Sequence, residues 1–195
     1  MMIKKLEAMC FDPDFNEDEA LLCIQNLDIN QEFVGTSETL FEIRTIFLES
    51  AIVCNNIRMV ELLLKNGAAS NQSYNNGDKV IWGMQYSEDL HIEIRLKIAQ
   101  LLLEYGADWS FDLDGDGESL FEYVTWAVFN DFDIYRCRFF ILLVAYGAKC
   151  DYCTPRIVGE FDKSNMKKYG FRFVPAGNGF TGEIIDENKN VIAYI

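Results

Sequence analysis

Leu62-Leu63-Leu64-Lys65-Asn66-Gly67-Ala68 is a stretch that the chain repeats. It returns as Leu101-Leu102-Leu103-Glu104-Tyr105-Gly106-Ala107 and as Leu142-Leu143-Val144-Ala145-Tyr146-Gly147-Ala148, and a weaker copy, Leu21-Leu22-Cys23-Ile24-Gln25-Asn26, precedes it. The first leucines of successive copies lie 41, 39 and 41 residues apart. Each copy has the pattern of a helix end, because an apolar run leads into Gly, or into Asn26 in the weak copy, where the chain turns at positive φ. A period of this size indicates a stacked repeat array.

A second marker keeps the same register as the leucine runs. Thr39 and Ser119 stand 80 residues apart, each followed by Leu-Phe-Glu, and Asp78 holds the corresponding place between them. We expect all three residues to be N-caps, whose side-chain oxygens accept hydrogen bonds from free N–H groups of the first helical turn. The residues between each N-cap and the next leucine run are enough for a helix, a break and a second helix.

The helix pattern is clearest in the second helix of each repeat. We predict these helices over Ile57–Lys65, Ile94–Tyr105 and Tyr135–Tyr146, after breaks at Asn55-Asn56, Ser87-Glu88-Asp89 and Asn130-Asp131. An atypical first repeat is predicted to contain helices over Lys4–Cys10 and Glu17–Gln25, the second with carboxylates at its N-terminus, where the helix dipole favours them.

These endings resemble those of ankyrin-repeat proteins, and Gly106-Ala107-Asp108 is nearest to the family's usual Gly-Ala-Asp. The units depart from the usual length of about 33 residues and open with Thr-Leu-Phe-Glu or Ser-Leu-Phe-Glu instead of Thr-Pro-Leu-His. The extra residues predict lengthened helices. The resemblance implies a mostly α-helical solenoid of about four helical-hairpin repeats, occupying residues 1–152 in units 4–33, 34–72, 73–112 and 113–152.

A different pattern occupies residues 153–195. We predict a short helix over Glu160–Lys168 and strands over Phe171–Val174, Thr181–Ile185 and Val191–Ile195. The turns between these strands are predicted at Pro175–Gly179 and Asp186–Asn190. We therefore expect this region to cap the solenoid with a small antiparallel β-sheet.

The net charge of the chain indicates which classes of partner it can bind. The chain carries 31 acidic and 17 basic residues, a net charge of −14, which disfavours nucleic acid and anionic membranes and favours a basic protein partner. The alternative is that acidity only maintains solubility. Neither a signal peptide nor a membrane-spanning stretch is predicted. Six scattered cysteines fit a reducing compartment, so we predict a cytoplasmic protein.

No arrangement of residues predicts an enzyme, a cofactor or a metal site. His91 is the single histidine, and Gly177–Gly182 spells Gly-x-Gly-x-x-Gly between two strands, where it predicts a hairpin rather than a dinucleotide site. Asp112–Gly117 resembles the start of a calcium loop but lacks Glu at its twelfth position. Cys150-Asp151-Tyr152-Cys153 has no second pair to complete a zinc site. Adventitious calcium binding and a hydrolase built on two carboxylates stay open as alternatives.

Aromatic and acidic side chains on connectors and first helices suit a basic protein surface. We predict partner binding through a concave face that carries Glu38, Tyr74, Trp82, Tyr86, Trp109, Phe111, Asp112, Asp114, Asp116, Glu118 and Trp126. The alternative for the aromatics is packing between helices. The expected function is a non-enzymatic protein–protein interaction module, a monomer or weak homodimer. It resembles bacterial ankyrin-type immunity proteins, which neutralise a toxin encoded beside them. The alternative function is a structural or regulatory subunit that oligomerises through the C-terminal sheet.

Overall fold

A computed structural model describes residues 1–35, 44–74, 78–85, 91–111, 118–130, 133–150, 153–177 and 179–195. The chain divides into two compact units. The first comprises Met1–Met84 and Leu90–Asp108, and the second comprises Trp109–Ile195 with the short segment Gln85–Asp89. No helix in the described ranges is long and apolar enough to cross a membrane.

The first unit consists of helices and two short hairpins. Its elements are α1 (Met2–Cys10), α2 (Glu17–Gln25), β1 (Phe33–Val34), β2 (Arg44–Thr45), α3 (Phe47–Val53), α4 (Ile57–Lys65), β3 (Ser73–Tyr74), β4 (Asp78–Lys79), a 3₁₀ helix (Trp82–Gln85) and α5 (Ile92–Glu104). Helix α1 packs against α2 and α3, α3 against α4, and α4 against α5. The pairs β1–β2 and β3–β4 are antiparallel.

The repeated helix ends share one geometry, as the sequence predicted. Gly67, Gly106 and Gly147 have φ of 94°, 83° and 86°. The alanine after each glycine donates its N–H to a carbonyl five residues earlier, at 3.0, 2.9 and 3.0 Å, the bond that closes a helix with a left-handed residue. The prediction for Asn26 is wrong, because its φ is −111°. Helix α2 thus ends without a left-handed residue, although it has the same length as α4.

Two asparagines join consecutive repeats within the first unit. Asn30 donates to the carbonyl of Gly67 at 3.1 Å and accepts from the N–H of Ala69 at 2.8 Å. Asn71, 41 residues further along, does the same with the carbonyl of Gly106 at 2.6 Å and the N–H of Asp108 at 2.6 Å. These bonds satisfy backbone groups just beyond a helix end, which have no partner within the helix.

A third asparagine joins helices α1 and α4. Asn56 is 5% exposed and caps α4, since its Oδ1 accepts from the N–H of Met59 at 3.1 Å. Its Nδ2 donates to the carbonyls of Met9, Cys10 and Asp12 at 3.2, 3.2 and 3.0 Å. One buried amide thus satisfies the end of one helix and the start of another. The predicted break at Asn55-Asn56 is confirmed, with Asn55 at a φ of 54°.

The lengthening predicted for the helices is uneven in the first unit, because α5 has 13 residues whereas the four preceding α-helices have 9 or fewer. Helix α3 has 7 residues, and the corresponding part of the next repeat contains a 3₁₀ helix of 4 residues. Additional residues of the long repeats also contribute to the two hairpins. Asp78 lies in strand β4, so its predicted N-cap role is wrong. Thr39 and the break at residues 87–89 lie outside the described residues.

The second unit combines two helices with a sheet. Its elements are α6 (Leu120–Asn130), α7 (Ile134–Ala145), β5 (Arg156–Ile157), a 3₁₀ helix (Met166–Lys168), β6 (Gly170–Ala176), β7 (Gly179–Ile185) and β8 (Val191–Tyr194). The strands form one antiparallel sheet in the order β5-β8-β7-β6. The three longer strands and both turns between them follow the prediction, whereas β5 was missed and the helix predicted over Glu160–Lys168 is only the 3₁₀ turn.

The fold-class prediction is therefore wrong. The described residues contain seven α-helices and eight strands, and the class is mixed α/β rather than a mostly α solenoid with a small cap. Two features of the chain account for the difference. The connectors pair as hairpins, and a four-stranded sheet supplies part of the second unit's core, where Ile184 and Ala193 are fully buried.

Candidate partner-binding groove

The predicted partner-binding residues fall in both units of the chain, and several of them lie outside the described residues. Glu38, Tyr86, Asp112, Asp114 and Asp116 lie outside the described residues, as does the side chain of Tyr74, whose backbone is in β3. Trp82 is half-buried in the first unit. The second unit contains the remaining four: Trp109, Phe111, Glu118 and Trp126. The binding face that combines all eleven residues therefore stays a prediction.

Two of those four residues support the core rather than offer a surface. Trp109 and Phe111 are both half-buried. The ring of Trp109 lies edge-on to that of Phe121, with centroids 6.3 Å apart. The carbonyl of Phe111 accepts from the N–H of Leu120 at 3.3 Å. Both residues therefore help to hold the start of α6 in place.

Helix α6 presents two large aromatic side chains to solvent. It begins with a capping box, in which the N–H of Glu122 donates to Ser119 Oγ at 3.2 Å and the N–H of Ser119 donates to Glu122 Oε2 at 2.7 Å. The N-cap prediction for Ser119 is confirmed. Leucine, phenylalanine, valine and alanine side chains bury one side of the helix. Trp126 and Phe129 remain 58% and 44% exposed.

Beneath Phe129 lies a cluster of phenylalanine rings. Phe171 of β6 contacts Phe129, Phe140 and Phe173, with centroid separations of 6.0, 5.6 and 5.1 Å. All three contacts are edge-to-face, an arrangement that aromatic pairs favour. Gly182 on the neighbouring strand leaves the room that the Phe171 ring occupies, since a Cβ there would lie 2.6 Å from Phe171 Cζ. Phe129 is thus held in position by its contacts with the phenylalanine rings of β6.

An open groove of about 580 Å³ lies between α6 and the C-terminal strands. Its walls are Thr125, Trp126, Phe129, Asn130, Cys153, Thr154, Phe180 and Ile195. Phe180, at the start of β7, is 73% exposed. The volume is in the range of sites that accept small molecules or side chains of a partner, about 300 to 1,000 Å³.

The polar atoms of the groove have partners within the protein. The Thr125 hydroxyl donates to the carbonyl of Phe121 at 2.6 Å, and Asn130 Nδ2 donates to the carbonyl of Trp126 at 2.8 Å. The Thr154 hydroxyl donates to the carbonyl of Cys150 at 3.3 Å. With these donors engaged, the groove mainly offers aromatic and aliphatic surface.

Cys153 is the one thiol in the wall, and its environment does not activate it as a nucleophile. Burial and the neighbouring Cys150 raise the pKa of Cys153 to about 12. An activated cysteine needs the opposite shift of its pKa, because the thiolate is the reactive form.

Within the described ranges there is no group of three or more His, Cys, Asp and Glu residues arranged to hold a metal ion. His91 is exposed in the first unit.

Two glutamates, Glu118 and Glu122, precede Trp126 in the sequence. Glu122 is one helical turn before Trp126 along α6, whereas Glu118 lies two residues before the helix begins at Leu120. Residues 1–108 hold 18 acidic and 8 basic side chains, whereas residues 153–195 hold 5 and 6. The groove itself is lined by uncharged side chains, whereas the protein as a whole is strongly acidic.

A second, smaller cavity in the first unit is self-neutralised. It measures about 160 Å³ and is lined by Glu17, Arg58, Glu61, Leu62 and Lys65. Arg58 pairs with Glu17 at 3.8 Å, and Lys65 pairs with Glu61 at 2.7 Å. Because each lining charge has an opposite charge beside it, this cavity offers little to a charged ligand.

Sequence reasoning found one end of the groove and missed the other. Of the groove residues the sequence predicted Trp126, but not Phe129, Phe180 or Cys153. Phe129 could have been predicted from the sequence, because it follows Trp126 by three residues and therefore lies on the same face of the helix. Phe180 and Cys153 reach the groove only through tertiary structure. In comparisons with known proteins, no family model and no curated protein matches the chain.

Proposed function

We propose that the protein is a non-enzymatic protein-interaction module that binds an apolar segment of a basic partner in the groove beside α6. The observation that carries this proposal is the exposure of Trp126, Phe129 and Phe180 around one open groove. Scattered exposed apolar side chains are normal on a protein surface, whereas a contiguous aromatic patch marks an interaction site.

The exposed aromatic area is sufficient to anchor a partner. Taking about 200 Å² for each ring, the exposed fractions of Trp126, Phe129 and Phe180 leave roughly 350 Å² to bury. At about 25 cal/mol per Å² this is a gross gain of about 9 kcal/mol. Association entropy opposes part of that gain. The remainder is enough for a specific transient complex, with these rings as its anchors.

Charge supports a heterologous, basic partner. A net charge of −14 makes two copies of the chain repel each other and draws a basic protein towards it. Glu122 supplies negative charge one helical turn before Trp126, and Glu118 lies two residues before the same helix. Lysine or arginine side chains next to the apolar segment would lie against them. Six free cysteines support a reducing compartment, and we extend the proposal to a cytoplasmic location.

The sheet edge is a weaker candidate for partner binding. Because Gly182 exchanges both backbone hydrogen bonds with the residue after β8, the backbone groups of Phe171, Phe173 and Pro175 lie on the outer edge of β6. Pro175 has no N–H, and the N–H of Phe171 bonds to the sulfur of Cys137. Few donors remain for an added strand, so the groove is favoured over oligomerisation through the sheet.

The resemblance to ankyrin-repeat proteins supports the same function. We propose a distant relationship to that family on the basis of the three left-handed Gly-Ala helix ends and the matched contacts of Asn30 and Asn71.

A peptide-selection experiment tests the proposal. A random-peptide display library is selected on the wild-type protein, and the selected peptides are then measured on the W126A/F180A double variant and on L22A. Leu22 is 56% exposed, close to the value for Trp126, but lies in the first unit, which makes L22A a matched control. Circular dichroism verifies that each variant is folded.

We expect peptides with one or two large apolar residues next to lysine or arginine. The double variant should bind them at least thirtyfold more weakly, since one hot-spot side chain contributes about 2 kcal/mol. The L22A variant should stay within twofold of wild type. Equal binding by wild type and W126A/F180A would refute the groove as the binding site.

A further inference from the structure

Cys150 and Cys153 pair with each other in an antiparallel β-bridge. The N–H of Cys150 donates to the carbonyl of Cys153 at 3.1 Å, and the N–H of Cys153 donates to the carbonyl of Cys150 at 3.4 Å. The Cys150 thiol also lies 3.1 Å from the Cys153 carbonyl and forms a side-chain hydrogen bond with the Cys153 thiol. Hydrogen-bonded antiparallel pairs have Cα atoms about 5.5 Å apart, within the range of about 4.4 to 6.8 Å that a disulfide spans.

We propose that Cys150 and Cys153 form a reversible disulfide in the folded protein and that this dithiol is a redox-sensitive part of the groove wall. Cys153 lines the groove beside Trp126, so oxidation alters a surface in contact with whatever the groove holds. The proposal goes beyond the proposed function, because the disulfide forms in the free protein without any partner.

The reaction needs a small-molecule disulfide as oxidant, for which oxidised glutathione is the probe. Cys150 loses its proton and attacks one sulfur of the oxidant, which releases the first glutathione thiolate. Cys153 then loses its proton and attacks the Cys150 sulfur, which releases the second. Two electrons and two protons pass from the protein dithiol to two glutathione thiols, and one S–S bond replaces another.

Burial determines the kinetics of this reaction. The pKa of Cys153, raised to about 12, keeps its thiol protonated at neutral pH and makes ring closure the slow step. Because the thiolate is the attacking species, this step should accelerate about tenfold for each pH unit. A high thiol pKa also gives the reduced state no stabilised thiolate, which shifts the equilibrium towards the disulfide.

Glutathione buffers of varied ratio test the proposal with the full chain. Samples are quenched in acid, alkylated, and read by intact mass and peptide mapping. We expect more than half of the protein to carry the Cys150–Cys153 bond at equal concentrations of reduced and oxidised glutathione. Formation should be about thirtyfold faster at pH 8.5 than at pH 7.0. The C150S and C153S variants should retain no intramolecular disulfide, whereas C54S should behave as wild type.

Tryptophan fluorescence tests the location of the pair. In a W82F/W109F variant only Trp126 emits, and its intensity should change when the dithiol is oxidised. A protein that stays reduced at every ratio would overturn the proposal. So would a bond that forms only in urea, or one that pairs other cysteines. If the disulfide forms without any change in Trp126 emission, the claim that the pair belongs to the groove wall is wrong.

Discussion

Replacing Gly182 with alanine should destabilise the second unit, although alanine normally suits a strand better than glycine. A Cβ at this position would lie 2.6 and 2.9 Å from two ring carbons of Phe171, closer than real Cβ contacts. Movement of the ring away from this Cβ would disturb its edge-to-face contacts with Phe129, Phe140 and Phe173. Overpacking of this kind costs about 1 to 3 kcal/mol.

Gly179 provides the matched control in the same strand. A Cβ there meets nothing within 4 Å, and G179A should change stability by less than about 0.5 kcal/mol. Urea unfolding, followed by near-ultraviolet circular dichroism of the aromatic cluster, compares the two variants. With a slope of about 2 kcal/mol per molar urea, the midpoint for G182A should fall by about 0.5 to 1.5 M. Equal midpoints for G182A and G179A would refute the packing argument.

Three further predictions concern other parts of the chain. The N56A variant should lose about 2 to 4 kcal/mol of stability in urea unfolding, because it removes a helix cap and three buried hydrogen bonds; a loss below about 1 kcal/mol would contradict this role. The E118K substitution should reduce the affinity for the peptide, and the dependence of that affinity on salt, more than E187K does. E187K makes the same charge change in the turn between β7 and β8. Equal losses of affinity in the two variants would show that only net charge matters. The Lys168 ammonium and the Ser164 hydroxyl lower the pKa of Asp162 to about 2. The stabilising contribution of this carboxylate is therefore present above about pH 4 and is lost as the pH falls towards 2. A carboxyl titration of Asp162 by NMR with its midpoint near pH 4 would contradict the contact.

Local signals explain what the sequence predicted correctly. Helix α4 matches its predicted range at both ends, because Asn56 and Gly67 determine those ends through residues adjacent in sequence. The same holds for Ser119, whose cap involves a glutamate three residues away. The β6–β7 hairpin likewise depends on a short turn between alternating residues.

The failures concern contacts between residues distant in sequence. Asp78 has the chemistry of an N-cap, yet its segment pairs with β3, and strand pairing overrides local capping preference. The contacts of Asn30 span 37 and 39 residues and leave no local pattern. The groove also depends on contacts between residues that are distant in sequence. Trp126 could be selected from its helix, whereas Phe180 and Cys153 approach it only because the sheet folds against α6.

The most direct test of the groove is an NMR titration of the wild-type protein with a selected peptide, observing the three tryptophan indole N–H signals. Each signal is assigned by substituting one tryptophan with phenylalanine. Binding beside α6 predicts a large, saturable shift of the Trp126 signal, while Trp82 in the first unit keeps its position. A shift of Trp82 with Trp126 unmoved would contradict the account and place the binding surface in the first unit.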